Sequence, residues 1–168
     1  ELMAQAAKME RTGLPLTHVD SHQHMHMLPG VIDISLDVAA SLHLDAVRIS
    51  RTPLFTAFAG MGQLIGRLGL FTLSELSLWK AKRRHFRVPD HFEGIVAGEA
   101  VHEGHFLHIL KDLRPGTTEV MMHPGTDNEK LIPACDWEHD FEAEMQAIVS
   151  PKVRRMIADK AVKVVNYR

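Results

Sequence analysis

The alternation of helix-like and strand-like segments is the feature of this sequence that most constrains its fold. Residues 1–12 are rich in helix formers and run into Gly13 and Pro15, the glycine stop and the proline that often end a helix. Leu16–Asp20 then alternates and includes residues that favour strands. Apolar residues next recur at helical spacing over Val31–Leu42. The chain is therefore predicted to begin as helix, strand and helix.

The same pattern continues downstream, and each further segment is a predicted strand or a predicted helix. These segments are a strand at Ala46–Ile49, a helix around Phe55–Leu68, a helix at Val101–Leu113, a strand at Thr118–Met122, an amphipathic helix at Trp137–Ile148 and a last strand at Val162–Val165. Ser150 and Pro151 favour a capped helix start. Such alternation is typical of an α/β fold with a parallel sheet or barrel, in which ligands bind at the C-terminal ends of the strands.

Polar side chains follow three of the predicted strands. The segment Asp20–His22 ends the first strand, Arg48 and Arg51 lie at the second, and His123 follows the third. We therefore expect these side chains to meet at one rim of the sheet or barrel. Residues 56–95 carry glycines that interrupt the helical spacing and give no clear prediction.

Composition and charge exclude several classes of protein. The 168 residues are enough for one domain with a real core and too few for two. A formal charge of −2 offers no positive field for a nucleic acid. A single cysteine, Cys135, excludes an internal disulfide and fits a reducing, cytoplasmic compartment. The uncharged run Thr52–Gly66 is shorter than the roughly 20 residues that cross a bilayer, and is interpreted as a buried helix or a lid over an amphiphilic substrate.

Histidine is unusually frequent, with 12 residues in the chain. Imidazole is the commonest metal ligand and titrates near neutral pH, so the enrichment indicates metal or acid–base chemistry. In Asp20–His26 every second residue is charged or histidine, and an extended backbone would turn His22, His24 and His26 to one face. Such a face can bind a metal, although at least one of His24 and His26 is expected to line a polar rim instead. Asp20 could be a ligand, a base or the acceptor that fixes a histidine tautomer.

The ten residues Thr17–His26 resemble the signature of the YdjC-like proteins, a family that includes chitooligosaccharide deacetylase. The resemblance continues in four later segments and so covers nearly the whole chain. These segments are Arg48–Arg51, Asp90–Gly94, Glu119–Gly125 and Val165–Arg168. Within the family, the Arg-x-x-Arg segment and the closing Asn-Tyr-Arg are most similar to the branch associated with hopanoid biosynthesis.

The resemblance implies a TIM-barrel-like (β/α) barrel of the glycoside hydrolase and deacetylase type. It also implies one divalent metal ion, for which magnesium and zinc are the first candidates. That ion would be held by one aspartate and two histidines, in an enzyme that removes an acetyl group from an N-acetylated sugar or glycolipid. Of these three ligands the sequence contains one, His22.

The other two ligands belong, in the family, to an Asp-Asp segment that also supplies the base and to a Gly-x-His segment. Neither motif occurs in this sequence. We therefore expect residues 1–168 to be a single YdjC-like domain that lacks its N-terminal β/α units.

Several other residues are predicted to serve the reaction. His123 precedes Pro124 and Gly125, which stiffen the chain after a strand, and an imidazole can protonate a departing amine near neutral pH. We expect His123 to be the general acid, with Asp20 as the second catalytic candidate. Arg48 would bind sugar hydroxyls or form an ordinary ion pair, with the two interpretations evenly balanced, whereas for Arg51 the ion pair is favoured. Asp90–Gly94 is predicted to be a loop, from which Asp90 and His91 are weaker candidates for substrate contact.

The remaining histidines are interpreted as surface or packing residues. They are His43, His85, His102, His105, His108 and His139. No phosphate-binding glycine loop and no Gly-x-Ser-x-Gly elbow occurs, so a nucleotide enzyme and a serine hydrolase have no support. The sequence predicts a metal-dependent carbohydrate N-deacetylase, with a homodimer left open. The rival hypothesis is a non-catalytic metal- or sugar-binding fragment of the same fold.

Overall fold

The computed structural model describes residues 1–51, 61–95 and 100–168, with the backbone alone over 61–67. Within these ranges, no helix combines the length and the apolar character that crossing a bilayer requires. The segment Thr52–Gly60, which contains the start of the predicted helix around Phe55–Leu68 and most of the uncharged run, lies outside the described residues.

Two compact units make up the chain. Unit 1 comprises Glu1–Phe92 with Asn166–Arg168, and unit 2 comprises Glu93–Val165. That the chain is a single domain stays a prediction, because this division describes packing within the chain and not how the units fold.

Unit 1 begins with helices separated by short extended segments. Its described helices are α1 over Leu2–Glu10, a 3₁₀ helix over His22–Met27, α2 over Val31–Ser41 and α3 over Met61–Arg83. Helix α3 extends well beyond the predicted Leu68, because the glycines at 62, 66 and 69 are carried in its first turns without ending it.

Three extended segments of unit 1 pair in parallel, through short bridges. Val19 pairs with Val47, and Ala46 pairs with Arg87. The Arg48 amide donates to the Val19 carbonyl at 3.0 Å, and the Val47 amide donates to the Arg87 carbonyl at 3.1 Å. This confirms that the first two predicted strands are parallel neighbours and that the fold is α/β. It adds a third extended segment at Arg87, in the region for which the sequence gives no clear prediction.

The core of unit 1 lies between this small sheet and helices α2 and α3. The apolar face of α2 buries Ile32, Leu36 and Ala39 at helical spacing against Val47 and Ile49. Burying an Ile or Leu side chain contributes about 1.5–3 kcal/mol, so this contact fixes α2 on the sheet and with it the loop that precedes α2.

Helices α2 and α3 end in the same way, and two histidines explain it. His43 and His85 have left-handed φ values of 56° and 62°. After α2, the His43 amide donates to the Ala40 carbonyl at 3.0 Å and the Leu44 amide to the Ala39 carbonyl at 2.9 Å. These two bonds form a Schellman motif, and the turn after α3 at His85 repeats it. Each motif turns the chain directly into one of the parallel segments.

Unit 2 consists mainly of helices. Its elements are α4 over Glu103–Lys111, strand β2 over Thr118–Val120, α5 over Asn128–Cys135, α6 over Phe141–Val149 and α7 over Pro151–Asp159, while strand β1 over His91–Glu93 crosses the boundary between the units. The Ser150 hydroxyl accepts from the Lys152 amide at 3.1 Å, which confirms the predicted cap of α7.

Two predictions of secondary structure are wrong, and one helix was not predicted. Val162–Val165 is not a strand, because α7 closes with the Val162 amide donating to the Ile157 carbonyl at 3.0 Å and no described strand pairs with the residues beyond. The predicted loop Asp90–Gly94 contains strand β1. Helix α5 was not predicted, since Pro133 lies inside it.

Candidate functional site

Asp20 and Arg48 meet at the ends of two neighbouring parallel segments. Arg48 Nη1 lies 2.7 Å from Asp20 Oδ2. Asp20 is exposed, and an exposed ion pair contributes at most about 1 kcal/mol to stability. The main effect of this pair is therefore to fix the direction of the carboxylate and the guanidinium at the carboxyl end of the sheet.

The segment after Asp20 is not extended, which corrects the prediction that its three histidines share a face. Residues His22–Met27 form a 3₁₀ helix in which Gln23 and His24 have left-handed φ values of 48° and 59°. A left-handed backbone is uncommon for residues other than glycine, so the rest of the loop must hold this conformation in place. As a result, the three imidazoles lie in three different environments.

His26 ties this loop to the neighbouring strand. Its Nε2 lies 2.7 Å from the Arg48 carbonyl oxygen, and its Nδ1 lies 2.8 Å from the Ser21 hydroxyl. A carbonyl only accepts, so Nε2 carries the proton and Nδ1 accepts from Ser21 in the neutral ring. The Ser21 hydroxyl in turn accepts from the His26 amide at 2.8 Å. With both ring nitrogens bonded, neither nitrogen of His26 is open to a metal in this arrangement.

His24 and His22 differ in their surroundings. His24 Nδ1 lies 2.8 Å from the hydroxyl of the buried Ser50, and its ring meets Phe92 edge to face at 5.9 Å. His22, the first residue of the 3₁₀ helix, is exposed to solvent. Of the three imidazoles, His22 is thus the one suited to an external ligand, and it can supply one of the about three protein ligands that a catalytic metal uses.

The other candidate substrate-binding residues of unit 1 are Arg51, Asp90 and His91. Arg51 Nη2 lies 2.8 Å from Glu75 Oε1, the ordinary ion pair that the sequence favoured. Asp90 is exposed, and His91 is half-buried at the start of β1. A substrate role for Asp90 and His91 stays a prediction.

His123 lies in unit 2, in a loop that packs tightly against α6. The Gly125 amide donates to the Phe141 carbonyl at 2.9 Å. A Cβ atom at Gly125 would lie 2.9 Å from the Phe141 Cβ and would collide with Leu131. Only glycine permits this close approach. The His-Pro-Gly turn is thereby held at the start of α6, with the His123 side chain half-buried.

Glu144 is the buried carboxylate that organises this part of unit 2. It is 1% exposed and lies on the inner face of α6 with Phe141 and Ala147. One carboxylate oxygen accepts from the His123 amide, and the other accepts from the Val101 amide at 2.9 Å. Hydrogen bonds to an ionised carboxylate are stronger than neutral ones, so Glu144 fixes the backbone at His123.

His139 packs beside Glu144 and is 6% exposed. Its ring stacks on Trp137 with centroids 4.1 Å apart, and it meets the His123 ring edge to face at 5.4 Å. Its Nε2 lies 3.2 Å from Glu144 Oε1 but outside hydrogen-bond geometry, so this buried nitrogen has no hydrogen-bond partner among the described residues. His139 was interpreted as a surface or packing residue, and in the structure it packs on Trp137 beside Glu144.

His123, His139 and Glu144 together form a group that could hold a metal ion. One ligand atom from each lies within 4.8 Å of the others, and the described part of the chain contains no second group of three such side chains. Two imidazoles and a carboxylate are a donor set that suits zinc. The sequence does carry a signal for Glu144, since it is a carboxylate at helical spacing between the apolar Phe141 and Ala147.

Comparison with known proteins places these residues in a family. The chain matches the model of the YdjC-like protein over residues 1–159. The chain therefore belongs to the YdjC-like family, as the resemblance of Thr17–His26 implied.

The relatives include proteins named carbohydrate deacetylase. One from Thermoanaerobacter pseudethanolicus is 26% identical and is matched over 99% of this chain and 57% of its own length. One from Mus musculus is 28% identical over 97% of this chain and 58% of its own length. This chain thus spans little more than half of the length of these relatives.

A solved structure supports the fold. A protein of Enterococcus faecalis V583, named for cellobiose-phosphate cleavage, superposes with a TM-score of 0.64 at 18% sequence identity. The match covers 98% of this chain and 56% of that protein. The two share an α/β fold.

Proposed function

We propose that this chain is part of a metal-dependent carbohydrate N-deacetylase. The observation that most supports the proposal is the family match over residues 1–159, combined with the ordered Asp20–His26 loop at the carboxyl end of a parallel segment. The relatives named carbohydrate deacetylase suggest the same reaction. The proposed substrate is an N-acetylated sugar or glycolipid, and the Arg48–Arg51 segment favours the branch associated with hopanoid biosynthesis.

We extend the proposal to the architecture. The parallel pairing of Val19, Ala46–Val47 and Arg87, in chain order, is what adjacent strands of a TIM-barrel-like fold would show. In this proposal Asp20 and Arg48 lie at the C-terminal ends of the first two of these strands.

His22 is the proposed metal ligand of this chain, since its exposed imidazole is chemically suited to hold a divalent ion such as magnesium or zinc. When bound, the ion supplies Lewis acidity, which favours attack of water on an acetamide carbonyl. The further ligands are proposed to come from segments outside residues 1–168.

Asp20 and Arg48 are proposed to work as a pair beside His22. Their ion pair fixes the direction of the Asp20 carboxylate, which suits it to accept a proton or a hydrogen bond. The remaining donors of the Arg48 guanidinium can bind a sugar hydroxyl. Asp90 and His91 are kept as weaker candidates for contact with the sugar.

His123 is the proposed general acid. Hydrolysis breaks the bond between the carbonyl carbon and nitrogen, adds water to the carbonyl and releases an amine that needs a proton. The half-buried His123 imidazole can supply that proton, and its backbone is fixed by Glu144.

The test measures acetate released from an N-acetylated chitooligosaccharide by the full-length protein, with and without added magnesium or zinc. We expect His123→Ala to lower kcat by about 10²- to 10⁴-fold with little change in KM, because a general acid acts mainly as the amine departs. His22→Ala should abolish the acetate release that depends on added metal.

The matched control is His43→Asn, which removes an exposed histidine from the end of α2 while keeping a residue that tolerates a left-handed backbone. Its acetate release should equal that of the unmutated protein. If the protein binds the sugar but releases no acetate with either metal, the rival hypothesis of a non-catalytic binding fragment replaces the enzyme.

A further inference from the structure

The buried nitrogen of His139 is the starting observation. A buried polar atom without a hydrogen bond costs about 1–3 kcal/mol, so a structure rarely retains one without a reason. Stacking on Trp137 holds the His139 ring in place, and Nε2 lies 3.2 Å from Glu144 Oε1. A cation between these two atoms would satisfy the nitrogen.

The Glu144 carboxylate is positioned to bind a cation. Both of its oxygens already accept hydrogen bonds from backbone N–H groups, those of His123 and Val101, which fixes the direction of the carboxylate. Each carboxylate oxygen can accept more than one interaction, so Oε1 can bond a cation while keeping the Val101 amide. Such bonds to a ligating carboxylate are what orients it in metal sites.

His123 supplies the third ligand. Ligand atoms in a tetrahedral zinc site lie roughly 3.4 Å apart, given bonds of about 2.0–2.2 Å. The His139–Glu144 separation of 3.2 Å already matches this spacing. One ligand atom of His123 lies within 4.8 Å of one ligand atom each of His139 and Glu144, and because His123 is half-buried, solvent can reach the fourth position.

We propose that His123, His139 and Glu144 form a cation site of unit 2, selective for zinc over magnesium because two of its three ligands are imidazoles. None of these residues belongs to the ligand set that the family resemblance implies. Binding itself does not depend on the proposed deacetylase function. One consequence does rest on that function. A ring nitrogen that binds zinc cannot carry a proton, so zinc bound at this site would prevent that nitrogen of His123 from acting as the general acid.

The experiment measures zinc binding without substrate, so that it is independent of catalysis. The tag-free full-length protein carrying His22→Ala is titrated with zinc by calorimetry, and cobalt(II) is used as a spectroscopic probe through its d–d absorption. We expect one zinc ion per chain and a cobalt spectrum of four-coordinate type. Magnesium should bind this variant much more weakly.

His139→Phe, added to the same background, is the decisive variant, because phenylalanine keeps a ring to stack on Trp137 but has no nitrogen. It should weaken zinc binding by at least 10- to 100-fold, the loss that follows even from changes behind a ligand. His123→Gln tests a second, half-exposed ligand and should weaken zinc binding as well. Near-ultraviolet circular dichroism of each variant checks that the packing around the tryptophans is kept.

Equal zinc affinity in the presence and absence of His139→Phe would overturn the proposal. So would the absence of zinc binding in the His22→Ala protein. In either case the His139–Glu144 pair would act as a direct imidazole–carboxylate contact. Absence of acetate release from the unmutated full-length protein, with zinc binding at this site intact, would instead count against the deacetylase alone.

Discussion

His26 in unit 1 and His139 in unit 2 are both buried imidazoles, at 2% and 6% exposure, but their nitrogens are treated differently. Both nitrogens of His26 are hydrogen-bonded, to Ser21 and to the Arg48 carbonyl. His139 Nε2 has a carboxylate within 3.2 Å and no hydrogen bond among the described residues. Burial therefore does not tell a structural histidine from one that keeps the capacity to bind a ligand. The two kinds of histidine are distinguished by whether their ring nitrogens are hydrogen-bonded.

The same comparison shows that a histidine in a conspicuous sequence motif is not necessarily one whose ring nitrogen can bind a metal. His26 belongs to the motif Asp20–His26, whose spacing suggests a metal site. In the structure its ring instead bonds the Arg48 carbonyl and holds the loop against the neighbouring segment. His139 has no neighbouring motif, and the structure places it with His123 and Glu144 in a group of metal-ligand type. The Arg48 carbonyl of the next extended segment decides the role of His26, whereas Glu144 of α6 and His123 decide that of His139.

The largest effect should follow from removing the carboxylate beside His139. Glu144→Ala would leave the amides of His123 and Val101 without their acceptor and would remove the carboxylate that lies beside the buried His139 ring. Breaking a buried charged network of this kind costs about 3–5 kcal/mol, and we expect that loss in the free energy of unfolding measured with urea.

Glu144→Gln is the matched control, because its amide oxygen can still accept one of the two backbone bonds. It should cost about 1.5–3 kcal/mol, as expected for one lost charge-assisted hydrogen bond. A loss under about 1 kcal/mol for Glu144→Ala would mean that the carboxylate does not hold the loop, and the contrast between His26 and His139 would lose its physical basis.

A direct comparison of the two histidines should give the next largest effect. His26→Phe leaves the Arg48 carbonyl without its donor, and we expect a loss of about 2 kcal/mol in unfolding free energy. His139→Phe removes a buried nitrogen that makes no hydrogen bond and keeps the stacked ring, so we expect no loss of stability and a gain of up to about 1–3 kcal/mol. Both proteins are unfolded in urea under metal-free conditions.

His26→Gln helps to separate hydrogen bonding from size, because its amide can still donate to the Arg48 carbonyl. It should recover part of the stability lost in His26→Phe. If His139→Phe were the more damaging of the two changes to phenylalanine, the His139 nitrogen would have to contribute through Glu144 directly, and the need for a cation would disappear.

Much of the fold could be predicted because local rules decided it. The extended segments at Leu16–Asp20 and Ala46–Ile49 and the cap at Ser150 follow from apolar spacing and capping chemistry, and the structure has parallel bridges at Val19 and Ala46–Val47 and a cap at Ser150. Val162–Val165 could not be predicted correctly, because a strand needs a partner and apolar β-branched residues do not reveal whether one is present. The segment around Arg87 was missed for the converse reason: its strand character comes from pairing with Ala46.

The site was only partly accessible to sequence reasoning. Asp20 and Arg48 were predicted to meet, because parallel strands end at the same edge, and they do. The orientation of the three loop histidines was not, since the left-handed Gln23 and His24 depend on contacts with distant residues such as Ser50. His22, His123 and Asp20 keep their proposed roles, which the experiments on acetate release test.

The smallest expected effect lies at the surface of unit 1, where the comparison extends to an exposed and fully paired carboxylate. Arg87 donates to Asp45 through two bonds, Nε to Oδ2 at 2.9 Å and Nη2 to Oδ1 at 2.7 Å. The hydrogen bond from Arg87 is the largest cause that lowers the pKa of Asp45 below its ordinary 3.8. A carboxyl group with a lowered pKa in the folded state adds stability above pH 3.8, and that stability is lost as the pH falls through the lower, folded value.

A carboxyl titration followed by nuclear magnetic resonance would test this pair. Asp45 should titrate below 3.8 in the unmutated protein and return toward 3.8 in Arg87→Gln, which removes the charge but keeps a hydrogen-bonding side chain. Asp37 offers the internal reference, because Arg84 contacts it through one oxygen at 2.7 Å and Arg87→Gln leaves that pair intact. Because Asp45 is exposed, added salt should weaken the shift without abolishing the two hydrogen bonds. If the Asp45 midpoint were the same with and without Arg87, the Arg87–Asp45 pair would not lower the pKa of Asp45. The contrast between the hydrogen-bonded groups of unit 1 and His139 of unit 2 would then hold only for buried groups.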